Sequence, residues 1–323
     1  MVAKDSYNSF NGHAMTGGNG LKSYTKNSSY QRGVIDAAKL HIQSAIAKKL
    51  QPEKFTTLET FSIADLGCSV GPNTFFAVQN ILESVKVKYK THEHYTKIPE
   101  FQVFFNDHSM NDFNTLFECL PPSREYYASG VPGSFYSRLF LRASVHFVHS
   151  SYSLHWLSQV PKEVTNRKEL AWNKGRIYHL HAREEVTHAY SMQHAMDMTN
   201  FLIARAEEVV PSGLVAIIIP ARPNGTLHDQ QQLTSSSQNC RSKSSPIVHQ
   251  KLLHQYQYCA HRNRLLPPSP SLASTSFAVA SYSRSSSTRT CSIAVAVTCR
   301  CRRLPSPSPA DLVLANLFWV SFV

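Results

Sequence analysis

Residues 61–73 read FSIADLGCSVGPN, an apolar run followed by a glycine-containing turn. The run has the composition of a buried strand, and apolar residues recur at helical spacing from Asn73 to Val85. A strand, a glycine turn and a helix in this order predict the first unit of a parallel α/β sheet. The glycines would let a ligand approach the backbone near the helix N-terminus. A turn that only packs the helix on the strand would have the same spacing.

The same alternation continues along the chain. Apolar runs predict further strands at 101–107 and 213–220, and the run 144–157 begins as a strand and ends in aromatic residues. Amphipathic stretches predict helices at 110–120 and 188–208. The run at 213–220 is apolar throughout, as central parallel strands usually are. We therefore predict a Rossmann-like doubly wound α/β sheet that binds ligands at the carboxyl ends of its strands.

The C-terminal part has a different composition. Residues 231–323 contain ten of the 33 Lys and Arg residues but only one of the 21 acidic residues, and no glycine follows Gly225. Serine, proline and arginine dominate, and the strand and helix pattern ends. We expect 230–323 to be a disordered low-complexity tail or the product of a shifted reading frame or an unspliced segment. The sheet would then end at the 215–219 strand, leaving it as an uncovered edge.

Composition also limits the function classes. The net charge of +12 comes mostly from the C-terminal part, so a basic RNA-binding protein is a weak alternative and we expect no nucleic-acid partner. No apolar run reaches the roughly 18 residues that a membrane helix needs, and the N-terminus lacks a secretory pattern. We expect a cytoplasmic chain without a membrane partner. The histidines lack the spacing of a zinc site.

Polar and aromatic residues mark a candidate pocket. Asn106 and Asp107 end the second predicted strand, where an acidic residue can bind ribose hydroxyls, although Asp107 could instead cap the next helix. The segments 131–140 and 149–161 mix small polar residues with aromatic ones, as concave binding pockets do. Aromatic residues at these spacings are equally common in a plain core.

Five motifs in order give the sequence a specific resemblance: SYTKNSSYQR (23–32), DLGCSVGPN (65–73), FFNDHSMNDFN (104–114), GVPGSFYSRLF (130–140) and HSSYSLHWLSQVP (149–161). Together they resemble the SABATH family of plant methyltransferases, which use S-adenosyl-L-methionine to methylate small carboxylic acids or, in one branch, xanthine nitrogens. The resemblance covers residues 10–229. It implies a methyltransferase fold that is C-terminally incomplete, with a partial helical cap, and plant secondary metabolites as substrates.

The resemblance also implies the domain organisation and the cofactor site. Residues 1–59 would contribute to both pockets, 60–229 would form the S-adenosylmethionine-binding domain, and 230–323 would be the tail. The implied cofactor residues border the methionine part, the ribose or the adenine, and His108 stands where many members have leucine. They are Tyr24, Ser28, Asp65, Cys68, Asn73, Asp107, His108, Ser134 and Phe135.

The implied acceptor is a small carboxylic acid, converted to its methyl ester with release of S-adenosylhomocysteine. Gln31 and Trp156 would position the carboxylate, with Tyr152 and His155 lining the pocket. A carboxylate with a pKa of about 4 is already ionised, so no catalytic base is expected. Some members bind Mg²⁺ through an asparagine that matches Asn173, with further ligands beyond the resemblance. A homodimer is compatible with it.

Two alternatives stay open on the sequence. The missing C-terminal match leaves a cofactor-binding remnant without turnover as the alternative to an active enzyme. Within the family, FFNDHSMNDFNTLF (104–117) and LPPSREYYASGVPGSFY (120–136) look closer to members that methylate isoprenoid-like or iridoid acids than to those specialised for salicylate. His155 would bring a polar edge where the salicylate type resembles a methionine-lined slot.

Overall fold

The computed structural model describes residues 14–55, 59–91, 97–176, 179, 182–221, 276–283 and 290–299, with backbone alone for residue 221 and the last two ranges. In chain order its elements are α1 (Tyr24–Asn27), α2 (Ser29–Lys49), a 3-10 helix (Pro52–Phe55), β1 (Thr60–Leu66), α3 (Pro72–Lys90), β2 (Glu100–Asp107), α4 (Phe113–Glu118), β3 (Tyr127–Pro132), β4 (Val145–Ser151), α5 (Lys162–Thr165), α6 (Glu184–Glu208), β5 (Val209–Ala221), β6 (Ser276–Ser283) and β7 (Thr290–Cys299).

One sheet organises the fold, with strand order β3-β2-β1-β4-β5-β7-β6. Its first five strands are parallel, which confirms the predicted doubly wound α/β sheet. Leu66 at the end of β1 pairs in register with Asn106 near the end of β2, and Asp65 pairs with His149 of β4. The carboxyl ends of these strands therefore meet at one edge of the sheet, where a ligand site is expected.

The predicted end of the sheet is wrong. β7 pairs antiparallel with β5 from Leu214 to Ala221, and β6 pairs antiparallel with β7. The 215–219 strand is therefore not an uncovered edge, because two strands from the C-terminal part extend the sheet beyond it. The rest of the expected tail lies outside the described residues, and its disorder or shifted frame stays a prediction.

Alternation along the strands divides the core between two faces. On one face Ile63, Val103 and Phe147 pack with α2 and α3. On the other face Ala64, Leu66 and Val148 pack with Met198 and Phe201 of α6. Helices thus cover both faces of β1 and β4, as in most parallel α/β sheets.

The residues at the end of the glycine turn determine where the next helix, α3, begins. Gly71 precedes α3 with φ 97°, and Pro72 occupies the first helical position, where its missing N–H is no loss. Phe75, Val78 and Leu82 then recur on one buried face.

Three features differ from the sequence-based prediction. The strand β3 (Tyr127–Pro132) is not among the predicted strands, because its residues are half-buried or exposed and lack an apolar run. Helix α6 begins at Glu184 rather than His188. Asp112, and not Asp107, caps α4 by accepting a hydrogen bond from the backbone N–H of Thr115, so the capping alternative for Asp107 is excluded. None of the helices in the described ranges is both long and apolar enough to cross a membrane.

Candidate functional site

The site begins at the turn between β1 and α3. Gly67 and Gly71 have φ of 81° and 97°, and Ser69 between them also has positive φ, 53°. The backbone N–H groups of Gly67 and Cys68 both donate to the carbonyl oxygen of Asn106, at 2.8 and 3.0 Å. This turn, residues 67–71, is the cradle. Its backbone is hydrogen-bonded to the end of β2, at the place where a glycine turn before a helix N-terminus can bind a nucleotide-like ligand.

Asp107 ties the end of β2 to the cradle. Its carboxylate accepts hydrogen bonds from the backbone N–H of Ser69 and of His108, both at 2.7 Å. Burial raises the pKa of this carboxyl group, and the two backbone hydrogen bonds act in the opposite direction. Asn111 adds a further tie, because its side-chain amide donates to the carbonyl oxygen of Ser69 at 3.1 Å.

The N-terminal helices lie over the same turn. The Asn73 side chain donates to the carbonyl oxygen of Ser28 at 3.0 Å, and the Thr25 side chain lies so close to Gly71 that a Cβ there would be 2.8 Å from its hydroxyl. Burial raises the pKa of Tyr24 to about 12, a hydrogen bond with Asn73 opposes this, and the charges of Asp65 and Asp107 add to it. Tyr24 therefore lies beside both carboxylates.

Asp65 lies beneath the cradle. One carboxylate oxygen is 2.7 Å from Nδ1 of His149 on β4, and the other accepts a hydrogen bond from the hydroxyl of Thr74 on α3. With both oxygens engaged and the residue buried, Asp65 supports the shape of the pocket floor. Burial raises the pKa of Cys68 well above its usual value, with the charges of Asp107 and Asp65 adding, so its thiol is no nucleophile.

The loop after β3 forms one flank. Gly133 donates to the carbonyl oxygen of Asp107 at 2.9 Å, and the Phe135 ring reaches to 3.6 Å from where a Cβ of Gly67 would stand. Ser134 lies between them and accepts a hydrogen bond from the backbone N–H of Tyr136 at 3.2 Å. Through Gly133 this loop is bound to the end of β2, so Ser134 lies beside the strand end that carries Asp107.

An aromatic wall extends from β4. Tyr152 has φ 56°, and its hydroxyl is 2.9 Å from that of Tyr30 on α2. The ring centroid of His155 lies 5.6 Å from that of Tyr152 and 5.8 Å from that of Trp156. The side chains of Tyr30, Tyr152, His155 and Trp156 therefore form one row of neighbouring rings. Burial lowers the pKa of His155 to about 3, and the nearby charge of His194 acts in the same direction. His155 is therefore a neutral imidazole at physiological pH.

Several buried polar atoms near the cradle lack a hydrogen-bond partner among the described residues. Thr25 Oγ1, Ser69 Oγ and Asn111 Oδ1 belong to side chains that contact the turn, and Gln31 Oε1 lies on α2 next to Tyr30. Because buried polar groups are normally paired, each of these atoms marks a direction from which a polar ligand can bind.

Comparison with known proteins identifies the chain. The family model described as SAM dependent carboxyl methyltransferase matches residues 11–256, further than the expected limit of residue 229. The chain belongs to this family.

Among curated relatives, loganic acid O-methyltransferase of Catharanthus roseus is 54% identical over 216 residues, which cover 66% of this chain and 57% of the relative. Farnesoic acid carboxyl-O-methyltransferase of Arabidopsis thaliana is 49% identical over 211 residues, with coverage of 65% and 60%. A solved structure titled loganic acid methyltransferase with SAH has a TM-score of 0.66 at 41% identity and covers 83% of this chain and 78% of that one. The chain therefore spans less than two thirds of the length of these curated relatives.

The cradle of this carboxyl methyltransferase chain fits the family's cofactor. The glycine turn precedes the N-terminus of α3, the Asp107 carboxylate can accept from ribose hydroxyls, and the Phe135 ring offers an apolar face beside Gly67. His108 donates its backbone N–H to Asp107 and accepts from the backbone of Met110 through Nδ1 at 3.2 Å. His108 is half-buried, and its contact with the adenine stays a prediction.

Asn173 lies away from these residues. Its side-chain amide donates to the carbonyl oxygen of Arg176 at 2.8 Å, and its backbone N–H donates to that of Val164 at 3.0 Å. In the part of the chain that is described, no three His, Cys, Asp or Glu side chains gather as metal ligands. Magnesium therefore stays a prediction.

Sequence reasoning missed the residues that support the site. Tyr30, Thr74 and His149 all touch predicted site residues, and the three contacts span 122, 9 and 84 residues of sequence. A signal existed for Tyr30, because it directly precedes Gln31 in the first family motif. His149 opens the motif that contains Tyr152, and a histidine on a buried strand needs a polar partner.

Proposed function

We propose that this chain binds S-adenosyl-L-methionine across the cradle and transfers its methyl group to the carboxylate of a small plant acid. The products are the methyl ester and S-adenosylhomocysteine. One observation carries the proposal: two segments contact the cradle, since Asp107 accepts from Ser69, and Ser153, within the Tyr152 to Trp156 wall, donates to the carbonyl oxygen of Gly67 at 3.2 Å. A donor site and an acceptor site thus adjoin.

The assigned roles follow from these positions. Asp107 accepts from the ribose hydroxyls, Ser134 and Phe135 border the adenine with His108, and the methionine part lies against Tyr24, Ser28, Cys68 and Asn73 above the buried Asp65. Gln31 and Trp156 bind the acceptor carboxylate, and Tyr152 with His155 lines the rest of the acceptor pocket. Each role is a proposal that rests on the family motif and on the contacts of the residue concerned.

The chemistry requires orientation rather than proton transfer. The bound cofactor supplies a methyl group that is activated by its bond to a positively charged sulfonium sulfur. A carboxylate oxygen forms the new C–O bond as the C–S bond breaks, and the electron pair of the C–S bond stays on sulfur. Gln31 and Trp156 hold the carboxylate, and the apolar wall excludes water. Such alignment can lower a barrier by roughly 7–11 kcal/mol. No proton moves, and the neutral His155 is suited to line the pocket without acting as a base.

A cofactor-binding remnant without turnover is the second candidate, because the chain spans only 57% of the first relative. The two candidates differ in the acceptor step alone. We also propose, from the resemblance to the family, a homodimer and a Mg²⁺ ion bound through Asn173.

Titration calorimetry with S-adenosylhomocysteine tests the shared part of the proposal, and mass spectrometry of acids incubated with methyl-labelled cofactor tests the transfer. Cofactor binding with a labelled methyl ester supports the enzyme. Binding without any ester supports the remnant. A folded chain that binds no S-adenosylhomocysteine would contradict both.

A further inference from the structure

Helix α6 carries two buried polar clusters that point to different loops of the site. The first surrounds Asp197. Its carboxylate accepts hydrogen bonds from the backbone N–H of Ser158 at 2.8 Å, from the Ser158 hydroxyl at 2.6 Å and from the Gln193 side chain at 2.8 Å. Ser158 stands two residues after Trp156, so this cluster holds the end of the segment 152–159, which we name the acceptor loop.

The second cluster is the ion pair of Arg205 and Glu208, which are 2% and 0% exposed. Arg205 donates through Nε to Glu208 at 2.8 Å, and its two terminal nitrogens donate to the carbonyl oxygens of Phe135 and Ser137 at 2.9 and 3.0 Å. The other Glu208 oxygen accepts from the backbone N–H groups of Leu139 and Phe140. Four backbone groups of residues 133–140, which we name the adenine loop, are thus fixed by two side chains.

Stability alone does not account for such a pair. Desolvating two charges costs several kcal/mol each, and apolar replacements of similar volume are often neutral or stabilising. The charged pair makes directional hydrogen bonds to the backbone carbonyl and amide groups of the adenine loop, and an apolar pair could not make them. The Arg205 fork is planar, so it fixes the orientation of the adenine loop as well as its distance from α6.

We propose that α6 is the positioning element of this site, with Asp197 holding the acceptor loop and Arg205 with Glu208 holding the adenine loop. Asp197 and Arg205 are eight residues apart, about 12 Å along a helix axis. A single rigid helix therefore sets the distance between the two loops. A hydrogen bond from the Tyr136 hydroxyl in the adenine loop to the Trp156 carbonyl oxygen, 2.7 Å, joins the loops directly.

This inference rests on the proposed function, since it assigns cofactor to one loop and acid to the other. It adds that residues of α6 that touch neither ligand hold the two loops separately. Loss of the Asp197 cluster should loosen acceptor binding only, and loss of the Arg205 fork should loosen cofactor binding only. A merely structural role would lower the melting temperature in both cases without separating the two affinities.

Asp197→Asn and Arg205→Lys test this separation. Asparagine keeps the size of Asp197 but places an NH₂ donor against donor groups, whereas lysine keeps the charge of Arg205 and loses its fork. We expect Arg205→Lys to weaken S-adenosylhomocysteine binding about tenfold and to speed amide hydrogen exchange in residues 133–140. We expect Asp197→Asn to leave that affinity within about twofold and to speed exchange in residues 152–159 instead.

Arg205→Lys with unchanged S-adenosylhomocysteine affinity, or Asp197→Asn with an equal loss of it, would overturn the inference. So would exchange that rises equally in both loops for either variant. If Arg205→Lys does not fold, the double variant Arg205→Met/Glu208→Met removes both charges, and the same two measurements apply to it. A wild-type chain that binds no S-adenosylhomocysteine would instead refute the cofactor assignment, while the exchange pattern would still decide whether α6 holds the two loops separately.

Discussion

The Asp107 carboxylate accepts a hydrogen bond from the backbone N–H of Ser69 at 2.7 Å, so the end of β2 is bound to the turn that follows β1. This side chain adds to the backbone hydrogen bonds that join the same two elements. That side chain is also the one expected to bind ribose.

Asp107→Ala should therefore weaken binding of S-adenosylhomocysteine by about 1–3 kcal/mol, since hydrogen bonds to a charged group are lost. Titration calorimetry measures the change. Asp36→Ala is the matched control, because Asp36 is an exposed carboxylate on α2 paired with Arg32 and far less costly to remove. Equal affinities of wild type and Asp107→Ala would remove Asp107 from the cofactor site.

Gly67→Ala should destabilise the chain. Gly67 has φ 81°, and a Cβ there would lie 2.1 Å from the hydroxyl oxygen of Ser153. Backbone strain costs an alanine roughly 1–2 kcal/mol, and the overlap adds to it, so thermal unfolding should shift down by at least about 2 °C. Gly20→Ala is the control, because nothing lies within 4 Å of its Cβ position.

The double variant Gly67→Ala/Ser153→Gly separates the two causes. It removes the steric overlap and keeps the positive φ, so it should recover part of the lost stability. A Gly67→Ala variant as stable as Gly20→Ala would show that the cradle is not constrained by its positive φ and by Ser153.

Acidification should destabilise the fold through its buried histidines. Burial lowers the pKa of His146 to about 4, and Ser62 donates its backbone N–H to His146 Nδ1 at 3.1 Å, which requires the neutral ring. The unfolded chain has the higher pKa, about 6.5, and so binds more protons between these values. Stability is therefore fully present above about pH 6.5 and falls as the pH drops toward 4, by up to about 1.4 kcal/mol per pH unit.

Melting curves between pH 7.5 and 4.5 measure this dependence. His146→Gln keeps an acceptor for Ser62 and does not titrate, so its melting temperature should fall less steeply with acid than that of the wild type. His188→Gln, which removes an exposed imidazole, serves as the control. Parallel curves for the wild type and His146→Gln would contradict the assignment.

The parts of the fold that sequence can predict are those encoded by local patterns. The predicted β1 and β2 agree with the structure to within a residue, because FSIADLG and FQVFFND are apolar runs with clear ends. The predicted α3 begins within a residue of the observed helix, owing to the glycine and proline of the turn, but the helix continues beyond Val85 to Lys90. β3 escapes prediction because its partly exposed residues carry no such run, and its position is set by pairing with β2.

The site, like the fold, could be predicted from the sequence only where a local pattern encodes it. Asp107 can be assigned from its place at a strand end, whereas its hydrogen bond to Ser69 spans 38 residues and follows only from the sheet order. Tyr30 and Tyr152 meet across 122 residues, and no spacing within either motif encodes that contact. The pairing of β7 with β5 is equally hidden, because it depends on the tertiary position of a segment whose composition suggests disorder.

Gln31→Leu should separate ligand binding from stability. Gln31 Oε1 is buried without a hydrogen-bond partner among the described residues, so leucine removes no internal bond of that oxygen. We expect an unchanged or slightly higher melting temperature, unchanged affinity for S-adenosylhomocysteine and a loss of acceptor-acid affinity of about 1–2 kcal/mol. Gln79→Leu on the exposed side of α3 is the control. A stability loss above about 2 kcal/mol would assign Gln31 a structural role instead.

The acceptor itself is the last prediction. The wall offers the neutral ring of His155 and the paired hydroxyls of Tyr30 and Tyr152, polar groups beside apolar faces. Such a wall suits a larger acid of the isoprenoid or iridoid type better than a small flat aromatic one.

A chain completed with the C-terminal part of the Catharanthus roseus relative should therefore methylate farnesoic or loganic acid in preference to salicylic, jasmonic or indole-acetic acid. Competition among the five acids with labelled cofactor, read by mass spectrometry of the esters, measures the order. Jasmonic or indole-acetic acid in first place would refute the acid type, and a preference for salicylate would refute the ranking. Cofactor binding without transfer to any of the five would refute the carboxylate as acceptor.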